Sequence, residues 1–170
     1  MAPLVRRSWS RRGQTPTLYQ RGRSHQKVTI IAALCVAANR RSLHLYFRLH
    51  PDANITGPLV IHFLRNLLRQ LHGPVMVIWD RLLAHRAKLV GAFLRSEPRL
   101  HTVLLPPYAP ELNPVENVWC YLKMNSMANW APLDIDMLTR TARRRGKSIQ
   151  RRLPLLRSFL LHSPLFLRLK

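Results

Sequence analysis

Leu105 to Lys123 reads LPPYAPELNPVENVWCYLK, and its punctuation decides how the rest of the chain is read. Pro106, Pro107, Pro110 and Pro114 stiffen a short connection and so fix where the next helix begins. Asn113 can cap that helix and Pro114 suits its first position. Glu116 then falls at the third, where it can return a capping-box hydrogen bond. A purely structural role therefore accounts for Glu116 by itself. The stiffness of the loop argues for a second role, because it holds one carboxylate at a set place. Upstream, VMVIW (Val75 to Trp79) is a short β-rich run that stops at Asp80. Strand ends in α/β sheets present functional side chains in a crevice; the rival reading of Asp80 is an N-cap for the next helix.

Working outward, KVTIIAALCVAA (Lys27 to Ala38) is continuously apolar, as expected of a strand buried on both faces. SLHLYFRL (Ser42 to Leu49) alternates, and Asn39-Arg40-Arg41 suits a hairpin between the two. Pro58 to Leu71 has apolar residues at helical spacing, Val75 to Trp79 is expected to be a central strand, and Ala84 to Arg95 a second helix. Thr102 to Leu105 reads as a strand and Asn113 to about Asn129 as a third helix. Leu133 to Arg152 reads as a basic helix, followed by an apolar, proline-broken tail. Arg11 to Pro16 is a turn expected to end a hairpin strand. Two strands followed by alternating helix and strand describe a mixed sheet with helices packed on it.

The charge is distributed unevenly. Of 28 Lys and Arg, ten lie in residues 1 to 51 and ten in residues 137 to 170, and neither stretch holds a carboxylate. Residues 52 to 136 hold all seven acids against eight bases, so the net +21 comes almost entirely from the ends. An acidic or neutral metabolic enzyme is thereby disfavoured, and a phosphate-binding frame around a carboxylate site is favoured. Arg6, Arg7, Arg11, Arg12, Arg143, Arg144, Arg145 and Lys147 are the expected nucleic-acid contacts, against the alternative of a solvated basic face. Two cysteines, Cys35 and Cys120, make no disulfide framework or zinc cluster and read as buried free thiols. The longest apolar run is too short to span a bilayer and the start lacks a signal-peptide core, so a cytoplasmic protein with no membrane partner is expected.

Few carboxylates are available for chemistry. Asp80 and Glu116, with 35 residues between them, could converge as hard oxygen ligands for Mg²⁺ or Mn²⁺, although such sites normally need a third. His85, five residues after Asp80, reads as a helix-surface histidine, with phosphate or metal contact as the rival. Trp79, Trp119 and Tyr121 read as core. Glu111 reads as a loop anchor, and Asp52, Asp134 and Asp136 as caps.

Trp79-Asp80 with His85 downstream, and then LPPYAPELNPVENVWCYLK, resemble the insertion-sequence transposases of the mariner-like superfamily. The likeness extends through WSRRGQTP (Trp9 to Pro16) and GPLVIHFLRNLL (Gly57 to Leu68) to about Leu160. It implies an α/β, ribonuclease-H-like mixed sheet flanked by helices, with the first strand incomplete or missing. Residues 1–130 would form a partial DDE catalytic domain and residues 131–170 a basic helical extension. Asp80 matches the second catalytic, metal-binding carboxylate of that family and Glu116 the third. The first has no match and is expected upstream of Met1; Arg81 stands where the family usually has Asn. The function implied is DNA transposition by cleavage and strand transfer, with Mg²⁺ or Mn²⁺ as cofactor, impaired in a truncated form. Transposon ends and target DNA are the implied partners, with a homodimer or a separately encoded helix-turn-helix half, and a nucleoid-associated location in a bacterium. The alternatives are an inactive remnant that only binds nucleic acid, and an RNA-binding module, which leaves the proline loop unexplained.

Overall fold

Residues 6–17, 27–165 and 169 are described by a computed structural model. β1 (Val28–Val36) and β2 (Leu43–Pro51) pair antiparallel, from Val28 opposite Pro51 to Val36 opposite Leu43. The turn between them closes as expected: the Asn39 side chain accepts from Arg41 N–H at 2.9 Å, with Arg40 at φ 59°. β3 (Val75–Trp79) and β4 (Leu100–Leu104) pair parallel, Val75 with Leu100 and Trp79 with Leu104. The mixed α/β architecture is thus realised as two two-stranded sheets, one of each direction. This has a visible consequence for β1. Its nine residues are half-buried throughout rather than enclosed on both faces, because only one of its edges is paired. The central place expected for β3 is likewise unfilled among the described strands, where β4 is its one neighbour.

α1 (Gly57–Gln70) buries Val60, Ile61, Leu64, Leu67 and Leu68 along one stripe. It packs with Trp79 of β3, Leu100 of β4, Ala84, and Val90 of α2 (Lys88–Ser96) into one core. Gly57 permits the approach, since a Cβ there would lie 3.1 Å from that of Ala87. The end of α1 is closed by Arg99, whose guanidinium donates to the carbonyls of Leu68 at 3.2 Å, Leu71, and Gly73 at 3.1 Å. Three orphan carbonyls are satisfied by one side chain.

A second core joins β1 and β2 to α3 (Pro114–Tyr121), α4 (Ile135–Gln150) and α5 (Leu153–Leu161). Leu43, Leu45, Val118, Leu138, Ile149, Leu156 and Phe159 are buried there. α3 is shorter than its sequence pattern predicts, because Leu122 to Ser126 widens into a single π turn. The apolar tail, not expected as regular structure, forms α5, with Pro154 in the first turn where a missing N–H costs nothing. Asp134 caps α4 by accepting from Met137 N–H at 2.6 Å. Asp52 is no helix cap: it lies at φ 47° just after β2. Residues 6–17 contain the expected turn at Gly13 (φ 82°) but no strand; residues 18–26 lie outside those described. Among the described residues no helix is long and apolar enough to cross a membrane.

Candidate active site

The C-terminal ends of β3 and β4 lie side by side, and both candidate carboxylates come from the segments just beyond these strands. Leu105 N–H donates to Trp79 O at 2.8 Å, and Arg81 Nε donates to Leu105 O at 3.1 Å. The proline loop therefore starts against the same backbone that carries Asp80. Its far end is tied as well. Ser163, just after α5, donates from Oγ to Leu112 O at 3.1 Å and Glu111 O at 3.3 Å, so the loop is anchored through Glu111 backbone rather than its side chain. Within the loop Tyr108 sits at φ 58° with its ring fully exposed.

Asp80 does not cap α2. That helix starts at Lys88, later than periodicity predicts, with Ala87 at its N-cap. The reason is local: Asp80 Oδ1 accepts from Leu82 N–H at 3.0 Å and lies 2.9 Å from His85 Nδ1. These bonds curl residues 81–87 back toward the strand instead of into a helix. His85 accordingly belongs to this turn and not to a helix surface. Its ring stacks on Trp79, centroids 4.5 Å apart and planes at 12°, and its side chain is only 17% exposed against 51% for Asp80. Trp79 itself is core, as expected. Arg81, where the resembled family has Asn, spends its Nε on the loop backbone.

Glu116 does not close a capping box. Asn113 does cap α3, accepting from Val115 N–H at 3.2 Å, but its own N–H is taken by Pro110 O at 2.9 Å. The Glu116 carboxylate is left for other use. Burial pushes its pKa up, Lys123 pulls it down, and the negative charge of Asp80 pushes it up further. The Asp80 charge is the smallest of the three contributions. Among the described residues no group of three His, Cys, Asp or Glu is placed to hold a metal.

The basic residues divide. Arg6 is engaged internally, its N–H on Asn129 Oδ1 at 2.7 Å and Nη1 on Met124 O at 2.9 Å. Arg7, Arg11 and Arg12 are exposed, with Trp9 fully exposed among them. Arg143, Arg144 and Lys147 line an open groove on α4, whereas Arg145 is exposed outside it. Sequence reading missed Arg140, Arg151 and Arg152, which line the same groove and which helical spacing from Arg144 and Lys147 could have found. Cys35 is half-buried and its thiol is pushed up to about 11 by burial; Cys120 is exposed, contrary to the buried reading.

No curated protein matches the chain. Two solved structures, the Mos1 transposase paired-end complex with left transposon end and the Mos1 mariner paired-end complex with Mn, match at a TM-score of 0.66 and 15% identity. Each match covers 95% of this chain and 47% of the other, so the chain spans about half the length of those proteins. The Mos1 strand transfer complex matches at a TM-score of 0.54 and 16% identity, over 96% of this chain and 52% of that one. The fold is therefore an α/β fold shared with the matched half of the Mos1 transposase. The family described as DDE superfamily endonuclease matches residues 2–138, and the chain belongs to that family.

Proposed function

We propose that the chain is the catalytic domain of a DNA transposase, with Asp80 and Glu116 as its metal-ligating, catalytic carboxylates. The observation that carries this reading is that the proline loop leading to Glu116 starts on the backbone that carries Asp80, through Leu105 N–H on Trp79 O and Arg81 Nε on Leu105 O, with neither carboxylate committed to a helix cap. Two like charges brought together and partly desolvated are disfavoured unless a cation joins them. Carboxylate oxygens suit Mg²⁺ or Mn²⁺. Bound at such a pair, a divalent ion supplies activation of an attacking oxygen and charge stabilisation on a phosphodiester. The protein's own residues do the positioning. His85 and the Leu82 N–H fix one oxygen of Asp80, Trp79 holds His85 by stacking, and the proline loop with Asn113 fixes the start of α3 and hence Glu116.

The reaction is attack by water on a DNA phosphodiester, releasing a 3′ hydroxyl, and then attack by that hydroxyl on a target phosphodiester. Arg7, Arg11, Arg12, Arg143, Arg144 and Lys147, all exposed, hold the DNA backbone. A homodimer, or a separately encoded half carrying a helix-turn-helix, is the partner this reading expects. Incubation with supercoiled plasmid and Mn²⁺ or Mg²⁺ should give metal-dependent nicking, and Mn²⁺ should raise the melting temperature. Both effects should vanish in Asp80→Asn and in Glu116→Gln. Nicking or metal stabilisation that survives both substitutions removes the assignment, and salt-dependent DNA binding with neither effect leaves the binding remnant as the better description.

A further inference from the structure

We infer that α4 and its junction with α5 form a track for the phosphate backbone of duplex DNA, made by Arg140, Arg143, Arg144, Lys147, Arg151 and Arg152. These six side chains line one open groove of about 610 Å³, in which Ser148 is the one uncharged lining residue. The inference rests on the DNA-processing reading above and names a contact for it. The groove lies beyond residues 2–138, the span of the family match.

Spacing puts Arg140, Arg144, Lys147 and Arg151 on one stripe, at i, i+4, i+7 and i+11. The opposite stripe, Leu138, Ala142 and Ile149, is buried, and Gln150 Nε2 donates to Leu45 O at 2.6 Å. The helix is thereby fixed on the β-hairpin with its basic stripe turned outward. Arg152 is held by the Tyr121 hydroxyl at 3.0 Å. Arg145 belongs to the same run of arginines, but it is rotated roughly 100° from Arg144 and does not line the groove.

A solvated basic face is the simpler explanation, and two facts count against it. Cations complement the helix dipole only in the last turn, whereas Arg140 and Arg143 lie in the first ten residues of α4. Like charges at i+3 and i+4 repel, and among the described residues none of the six has a carboxylate within salt-bridge reach. A polyanion relieves that repulsion. From Arg140 to Arg151 the helix rises about 16 Å, which is about five base-pair steps of a duplex at about 3.4 Å each. A single small anion would meet only part of the stripe.

The test is anisotropy of a fluorescent 30-base-pair duplex over a range of salt concentrations, with the whole chain. Replacing Arg140, Arg144, Lys147 and Arg151 together by Gln should lower affinity by about 10²-fold or more at moderate salt. It should also reduce the slope of log K against log salt by about 3–4, roughly 0.9 per lost phosphate contact. Arg145→Gln should change the slope by less than about half of one contact. The charge-retaining set Arg140→Lys, Arg144→Lys, Lys147→Arg and Arg151→Lys should keep the wild-type slope, which separates charge from misfolding. A natively folded Gln variant with an unchanged slope overturns the track, as does an Arg145→Gln effect as large as the stripe's. So does a stripe variant that loses binding to phosphatidylserine vesicles or to inorganic phosphate but not to DNA. If metal-dependent nicking persists in such a variant, the track alone falls; if the wild type shows no salt-dependent DNA binding, the DNA-processing reading falls with it.

Discussion

Glu116 is expected to weaken the fold slightly at neutral pH, the sign that a carboxylate proposed for a ligand should show. Burial, then the Asp80 charge, place its native pKa above the ordinary glutamate value. The native state thus holds the proton more firmly than the unfolded chain. Stability falls as pH rises from the unfolded glutamate pKa to the raised native one, and stays lower above it. Glu116→Gln should therefore raise stability at pH 7, by well under about 1 kcal/mol for an exposed carboxylate, and flatten the profile above the ordinary glutamate pKa. Thermal melts across that range decide it; a lower melting temperature at pH 7 would mean that the carboxylate supports the helix after all. His85 acts one step further out. Its bond to Asp80 and its stack on Trp79 orient one oxygen of the carboxylate proposed as a ligand, so His85→Ala should weaken Mn²⁺ binding, read by calorimetry, by about 10–100-fold. The five-residue interval between Asp80 and His85 was plain in the sequence. Its meaning was not, because helical periodicity from Ala84 onward masks the turn that Asp80 imposes.

At the scale of elements, local patterns held where one stripe or one turn decides the outcome. α1 follows its apolar spacing to within a residue at each end, and the β-hairpin turn follows Asn39-Arg40-Arg41. Ends set by contacts with distant residues were less legible. α2 starts late because Asp80 claims the preceding turn, and the proline-broken tail becomes α5 because its leucines and Phe159 fill a core built by β2 and α3. α4 depends on a close approach that no local rule reveals. A Cβ at Gly146 would lie 2.7 Å from Phe47 Cζ, so the helix seats on β2 only if that position stays bare. Gly146→Ala gains helix propensity of about 1 kcal/mol yet must displace the ring, and a net loss of about 1–3 kcal/mol is expected from overpacking. Urea denaturation measures it, and Phe47→Leu in the same chain should recover most of the loss. Recovery would also show that the clash, rather than a change in the groove on the other side of α4, is responsible.

Over the whole molecule, the net charge of +21 is a standing repulsion carried by two acid-free flanks, one of which is folded onto the hairpin as α4 and α5. Salt screens such repulsion with a Debye length of about 10 Å at 0.1 M and about 3 Å at 1 M. Raising NaCl from low to near-molar concentration should stabilise the free protein by on the order of 1 kcal/mol, which is about 2–4 °C in melting temperature for a chain of this size. The same salt should weaken DNA binding, so opposite trends in melting and in affinity are expected from one cause. The sequence alone determined the order of the elements, the division of charge, the rigid proline loop and the family to which they point, because each is written in neighbouring residues. It named Asp80 and Glu116 but left each poised between a helix cap and a site. Only the tertiary structure decided that neither is a cap: one backbone N–H is already taken by Pro110, one turn is already curled onto Asp80, and the loop that leads to Glu116 starts on the backbone beside Asp80. It also separated Arg145 from its neighbours and grouped Arg140, Arg151 and Arg152 with them, since which residues share a groove depends on the face of α4 that the core claims.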